Sequence, residues 1–129
     1  MELEPPHDPV RRWVAAFNER DTLTLVALAD PEVDWYPLQI SAHGHFKGHD
    51  GIRRWMEELG ADDPDHRVRV DSVRTLAPDR VALLGAICVD DNPVSPYSLI
   101  AVVRDGKVLT ARSYLSDADT LLRLGLLDG

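Results

Sequence analysis

The chain has 129 residues, a net charge of −8 and a pI near 4.9, and that acidity excludes the clustered Lys and Arg that nucleic-acid backbones require. With 44% hydrophobic and 28% charged residues it can bury the core of one folded domain, while no apolar run approaches the ~20 residues of a membrane span. The lone Cys88 cannot form an internal disulfide, and "MELEPPHDP" offers acids and prolines where a signal peptide carries basic and apolar segments, so the expected location is cytoplasmic.

Residues 1–7 read as a loose tail ahead of a single domain over 8–129. Asp8 as N-cap and Pro9 at the first helical position open a helix whose Val10, Trp13, Val14 and Phe17 share one face. Asp21 or Thr22 caps a second, short helix that ends near Pro31. "EVDWYPL" is a short strand bounded by two prolines. In "GHDGIRRWMEELG", Ile52, Trp55, Met56 and Leu59 again fall at helical spacing, with Gly60 as terminator. After the acidic loop "ADDPDH" the period changes from 3.6 to 2. "RVRVDSVRTL", "RVALLGAICV", "YSLIAVV" and "KVLTARSYL" are strands, the last two joined across Asp105-Gly106, a strong hairpin signal. "SDADTLLRLGLL" closes the chain as a helix, with Ser116 and Asp119 spaced as a capping box and Gly125 near its end.

Two helices, a strand, a helix, a run of antiparallel strands and a closing helix make an α+β plan, with helices on one face of a curved antiparallel sheet. Val81 to Val89 and Leu99 to Val103 are apolar at nearly every position, whereas a sheet with one wet face alternates. Both faces of these strands are therefore expected to be covered, one by helices and the other by a second copy in a homodimer.

On "RRWVAAFNERDTLTLVALADPEVDWYP", "GHDGIRRWMEEL" and "VVRDGKVLTARSYLSD", the chain resembles the nuclear transport factor 2-like superfamily in its SnoaL-like branch. The resemblance implies a cystatin-like α+β barrel: a cone-shaped curved sheet wrapped around three helices, with a C-terminal helix and an apolar pocket open at one end. It implies a small hydrophobic molecule as ligand and a homodimer; no cofactor is expected. It does not settle the reaction, because that fold serves many. A ketosteroid isomerase needs a base and an oxyanion hole, and the positions matching its residues are Trp13, Tyr36 and Leu99. Leu99 can supply neither. Limonene-type epoxide hydrolases carry Arg-Asp-Tyr on the last strand where this chain has Arg112-Ser113-Tyr114, and "LLGAICV" lacks the charged partners. A SnoaL-type cyclase needs one acid/base group at an apolar pocket, which His43, His45 or Asp34 could supply.

"SAHGHFKGHD" leaves three readings open. A metal site needs three or four converging ligands, His43 and His45 supply two, and His49 starts a helix, so no metal is expected. A solvated connection is the plain alternative. In the third, His43 or His45 lines the pocket mouth as an acid/base group, since imidazole titrates near neutrality, with Tyr36 and Trp13 as hydrogen-bond donors. Trp13, Phe17, Trp35, Trp55, Met56, Leu59, Tyr97, Leu99, Ala101 and Tyr114 are either packed core or pocket wall, and Arg112 is either an outward ion-pair partner or the pocket's cation. Asp90-Asp91-Asn92-Pro93 lacks the spaced ligands of a calcium loop and reads as a wet hairpin. The function expected is binding of a small hydrophobic molecule, with isomerase-, cyclase- or hydrolase-type chemistry open. The alternative is a non-catalytic binding module of the same fold.

Overall fold

Helix α1 (His7–Asn18) takes its face from Val10, Trp13 and Val14, all buried, with Phe17 packed against the same core. It begins one residue before the expected cap, so Asp8 lies inside the first turn and faces Arg12 at 3.7 Å. Arg20, at φ 55, turns the chain into α2 (Thr22–Leu28). There the Asp21 carboxylate caps the helix, accepting from the Thr24 N–H at 3.2 Å and the Thr24 hydroxyl at 2.6 Å. Strand β1 (Ala29–Tyr36) starts earlier than its prolines suggested. Pro31 sits in a register shift between Ala29 and Asp34, where its missing N–H interrupts no ladder. A two-residue strand, β2 (Phe46–Lys47), leads into α3 (Gly48–Asp62).

Four strands follow: β3 (His66–Ala77), β4 (Arg80–Val89), β5 (Asn92–Arg104) and β6 (Lys107–Tyr114), then α4 (Ala118–Arg123). Strand β5 extends well ahead of Tyr97, because Asp90 and Asp91, at φ 50 and 64, make a two-residue turn directly before it. Asp105 and Gly106, at φ 53 and 76, make the other tight turn where the sequence placed it. The computed structural model describes residues 7–37, 45–62, 65–115, 118–123 and 125. His43 and the proposed Ser116 cap lie outside them. Among the described residues no helix is long and apolar enough to cross a membrane.

The curved sheet has the order β2-β1-β6-β5-β4-β3. It is not wholly antiparallel as expected: β1 enters from the helical half of the chain, pairs with the last long strand and runs parallel to it. One face carries Val33, Trp35, Val81, Leu83, Leu99, Ala101, Val108 and Ala111 against α1, α2 and α3, forming the main core. On the opposite face Ala82, Leu84 and the fully buried Leu121 of α4 form a second cluster, joined by Ile100 and Tyr114. The apolar second face of β4 and β5 is thus covered in part by the chain's own terminal helix.

Three features fasten this frame. Asn18 donates to the Val68 carbonyl and accepts from the Val68 N–H, both at 2.8 Å, so a side-chain amide completes the ladder on the free edge of β3. Arg20 adds a bond to the His66 carbonyl at 2.7 Å. Arg104 reaches Asp30 through two bonds of 2.9 and 3.1 Å and Glu32 at 3.2 Å, tying the β5–β6 turn to β1. At Gly85 a Cβ would stand 1.8 Å from the Arg69 carbonyl oxygen, so only glycine lets β3 bulge across β4 there.

Candidate ligand cavity

The pairing registers bring the end of β1, the start of β3, the end of β4, the start of β5 and the end of β6 to one edge of the cone. There the helices do not fill the sheet's concave face, and a cavity of about 330 Å³ remains. This lies at the lower end of the ~300–1,000 Å³ typical of small-molecule sites. Its walls are mostly apolar. Trp35 stands between Trp13 (ring centroids 5.7 Å apart, edge-on) and Trp55 (4.8 Å, edge-on), and Phe17 stacks on Trp55 at 5.6 Å. All three tryptophans of the chain therefore line one space. Val94 and Leu115 line its solvent side while remaining 59% and 55% exposed.

Polar groups are few. The hydroxyls of Tyr97 and Ser113 share a hydrogen bond of 2.8 Å, and both residues line the cavity. Burial pushes the Tyr97 phenol up to about 12, against the smaller opposing effect of the Ser113 bond, so it stays protonated at neutral pH. Ser95 donates its hydroxyl proton to the Pro96 carbonyl at 2.9 Å. His66 and Arg67 belong to the β3 side of the wall. The buried indole N–H of Trp35 has no hydrogen-bond partner among the described residues, so the wall already holds an unmet donor.

Trp13, Phe17, Trp35, Trp55 and Tyr97 thus meet around the cavity. Other residues chosen from the sequence do not. Met56, Leu99 and Ala101 are buried in the packed core: Leu99 is flanked by Leu83 and Ala101 by Val81 and Ala111, farther from the open edge. The side chain of Leu59 lies outside the described residues. Tyr36, Arg112 and Tyr114 sit on the opposite face of the sheet, since each neighbours an inward residue (Trp35 or Ser113) along its strand. Arg112 caps the Tyr36 ring at 4.3 Å, His45 stacks on the same ring at 4.8 Å, and the His45 Nε2 lies 3.7 Å from Asp34. His45, Tyr36 and Asp34 therefore form a surface cluster and do not reach the cavity. Arg112 is neither the cavity's cation nor an ion-pair partner among the described residues; it is a cation over an aromatic face. His49 turns away as well, its Nε2 2.9 Å from the Ala29 carbonyl. Among the described residues no three His, Cys, Asp or Glu side chains gather as metal ligands.

Sequence reasoning missed His66, Ser95 and Ser113. His66 shares the strand parity of Val68 and Val70 and could have been placed by it. In the sequence Ser113 reads only as a missing carboxylate.

A curved sheet packed on helices, with an apolar cavity at one end, defines an α+β fold of the cystatin-like, nuclear transport factor 2-like type. Residues 10–111 match the SnoaL-like domain, and the chain belongs to that family. Similar solved structures share the fold. A nuclear transport factor 2-like protein of unknown function from Burkholderia pseudomallei is 19% identical over 93% of this chain and 97% of its own, with a TM-score of 0.74. TerC, co-crystallised with polyporic acid, is 20% identical over 96% and 98%, with a TM-score of 0.72. A protein of ketosteroid isomerase-like fold from Catenulispora acidiphila, in complex with trimethylamine, is 20% identical over 95% of both chains, with a TM-score of 0.69. No protein of curated function matches the sequence.

Proposed function

We propose that this chain binds a small, largely hydrophobic organic molecule in the end cavity. The observation that carries the reading is the cavity of about 330 Å³ walled by Trp13, Phe17, Trp35 and Trp55. An open apolar space of that size forfeits the packing a core normally gains, and a flat apolar ligand restores it. Two related structures, those with polyporic acid and with trimethylamine, hold small molecules, which supports the reading without naming this ligand. Any isomerase-, cyclase- or hydrolase-type step would draw on cavity groups: His66 as the imidazole, and Tyr97 with Ser113 as hydroxyl donors. His45 and Tyr36 face elsewhere.

The test is titration with aromatic and alicyclic probes, read by tryptophan fluorescence and by melting temperature. A saturable fluorescence change should accompany a rise in Tm, since a ligand at a hundredfold above its Kd stabilises by about 2.7 kcal/mol. A chemically diverse library that moves neither signal overturns the proposal.

The homodimer belongs to the same proposal, through the part of the outer sheet face that carries the half-buried Ile100 and Val102. Light scattering at twice the 14.4 kDa of one chain is expected, and the single-chain mass at micromolar concentration contradicts it.

A further inference from the structure

The hydroxyl protons of the cavity can be assigned one by one. Ser95 has given its hydroxyl proton to Pro96. Tyr97 and Ser113 carry one hydroxyl proton each, and the bond between them uses one. Neither hydroxyl has another partner among the described residues, so one proton is left over whichever of the two donates. We infer that the Tyr97–Ser113 pair sets the specificity of the cavity, presenting its spare hydroxyl proton to an oxygen acceptor, such as a ring ketone, on an otherwise apolar ligand.

This rests on reading the cavity as a ligand site. The phenol is the stronger acid, so the favoured order runs from Tyr97 to Ser113 and from Ser113 to the ligand. A hydroxyl that is already accepting a bond donates more strongly. Because burial holds the phenol protonated up to about 12, the pair remains a donor across the physiological range and does not become an anion that would repel an acceptor. The surrounding walls offer the ligand's carbon skeleton little but aromatic and aliphatic surface. A ligand oxygen set against the aromatic or aliphatic surface loses its water without compensation, so the pair favours one orientation; the Trp35 indole N–H, also unpartnered among the described residues, is told apart from it by the substitutions below.

Two probes of one skeleton, 1-tetralone and tetralin, differ by the carbonyl oxygen. Their Kd values are measured by calorimetry for the unaltered protein and for the Tyr97→Phe, Ser113→Ala double variant. The double variant should weaken tetralone by at least about fivefold, the cost of leaving a buried acceptor unpaired, and leave tetralin within about twofold. Equal effects on both probes, or none on tetralone, overturn the inference while the cavity reading stands. If neither probe binds the unaltered protein while other members of the diverse library do, the inference fails and the cavity reading stands; if the whole library also fails, both fall. A measurement that does not depend on the double variant is the infrared carbonyl band of bound tetralone. A band below its position in hexane supports a hydrogen bond from the pair if either single substitution, Tyr97→Phe or Ser113→Ala, shifts it back. A band at the hexane position, or one that neither substitution moves, overturns it even where the double variant does not fold.

Discussion

Enlarging one side chain at two places on the concave face should give opposite results. Val68 lines the cavity and its cross-strand neighbour Ile87 does too, so a phenylalanine at 68 has space to enter. Ala101 is 1% exposed and is flanked in register by Val81 and Ala111, which are equally enclosed. A phenylalanine there must displace packed neighbours, at a cost of roughly 1–3 kcal/mol. For a domain of this size each kcal/mol moves the melting temperature by roughly 3–6 °C, so Ala101→Phe should lower Tm by roughly 3–18 °C. Val68→Phe should leave Tm nearly unchanged, because its ring gains contacts in space that was open, while the response to tetralin is lost. Circular dichroism melts with and without the probe report both quantities. An undisturbed Ala101→Phe alongside a Val68→Phe that is destabilised yet still binds would refute the division of this face into packed core and open cavity.

Two further outcomes follow from the same contacts. Asn18→Ala removes both bonds to the Val68 backbone and should cost about 1–3 kcal/mol in urea unfolding; no change would mean that water satisfies the β3 edge equally well. The carboxyls of Asp21, Asp30 and Asp71 are held below their ordinary range chiefly by hydrogen bonds from Thr24, Arg104 and Arg69 respectively. The folded chain therefore binds fewer protons than the unfolded chain as these groups titrate. Their stabilisation is complete above about pH 4 and is lost as pH falls through the folded values. Tm should drop steeply below that pH, and the Asp21→Asn, Asp30→Asn, Asp71→Asn triple variant should flatten the drop; an equally steep curve would place acid sensitivity elsewhere.

The elements were legible in the sequence where a local rule governs them. Apolar residues at helical spacing marked α1 and α3, and Asp105-Gly106 marked a turn that only left-handed backbone can make. The aromatic wall was also within reach, since helix-facing Trp13, Phe17 and Trp55 needed only a common centre. Which face Arg112 and Ser113 occupy was not. Simple alternation from the inward Val108 puts Arg112 inside, but β6 opposes Val102 and Val103 with Thr110 and Val108. The extra residue, Leu109, reverses the parity from there on. One bulge, invisible in the local pattern, decided between the two places open to Arg112 and put Ser113 inside instead. The same limit applied to Tyr36, whose neighbour Trp35 took the inward position, and to β1, whose parallel partner lies at the far end of the chain.

Helix α1 ties two parts of the cavity wall together. Its Trp13, Val14 and Phe17 form cavity wall, and its last residue is hydrogen-bonded to the Val68 backbone. A guest that binds better when the helix is seated tightens that attachment by the same factor by which the attachment favours the guest. Occupancy of the cavity can then be read on the backbone of the wall itself, as slower amide hydrogen exchange at Val68, whose N–H donates to Asn18, without any probe attached to the ligand.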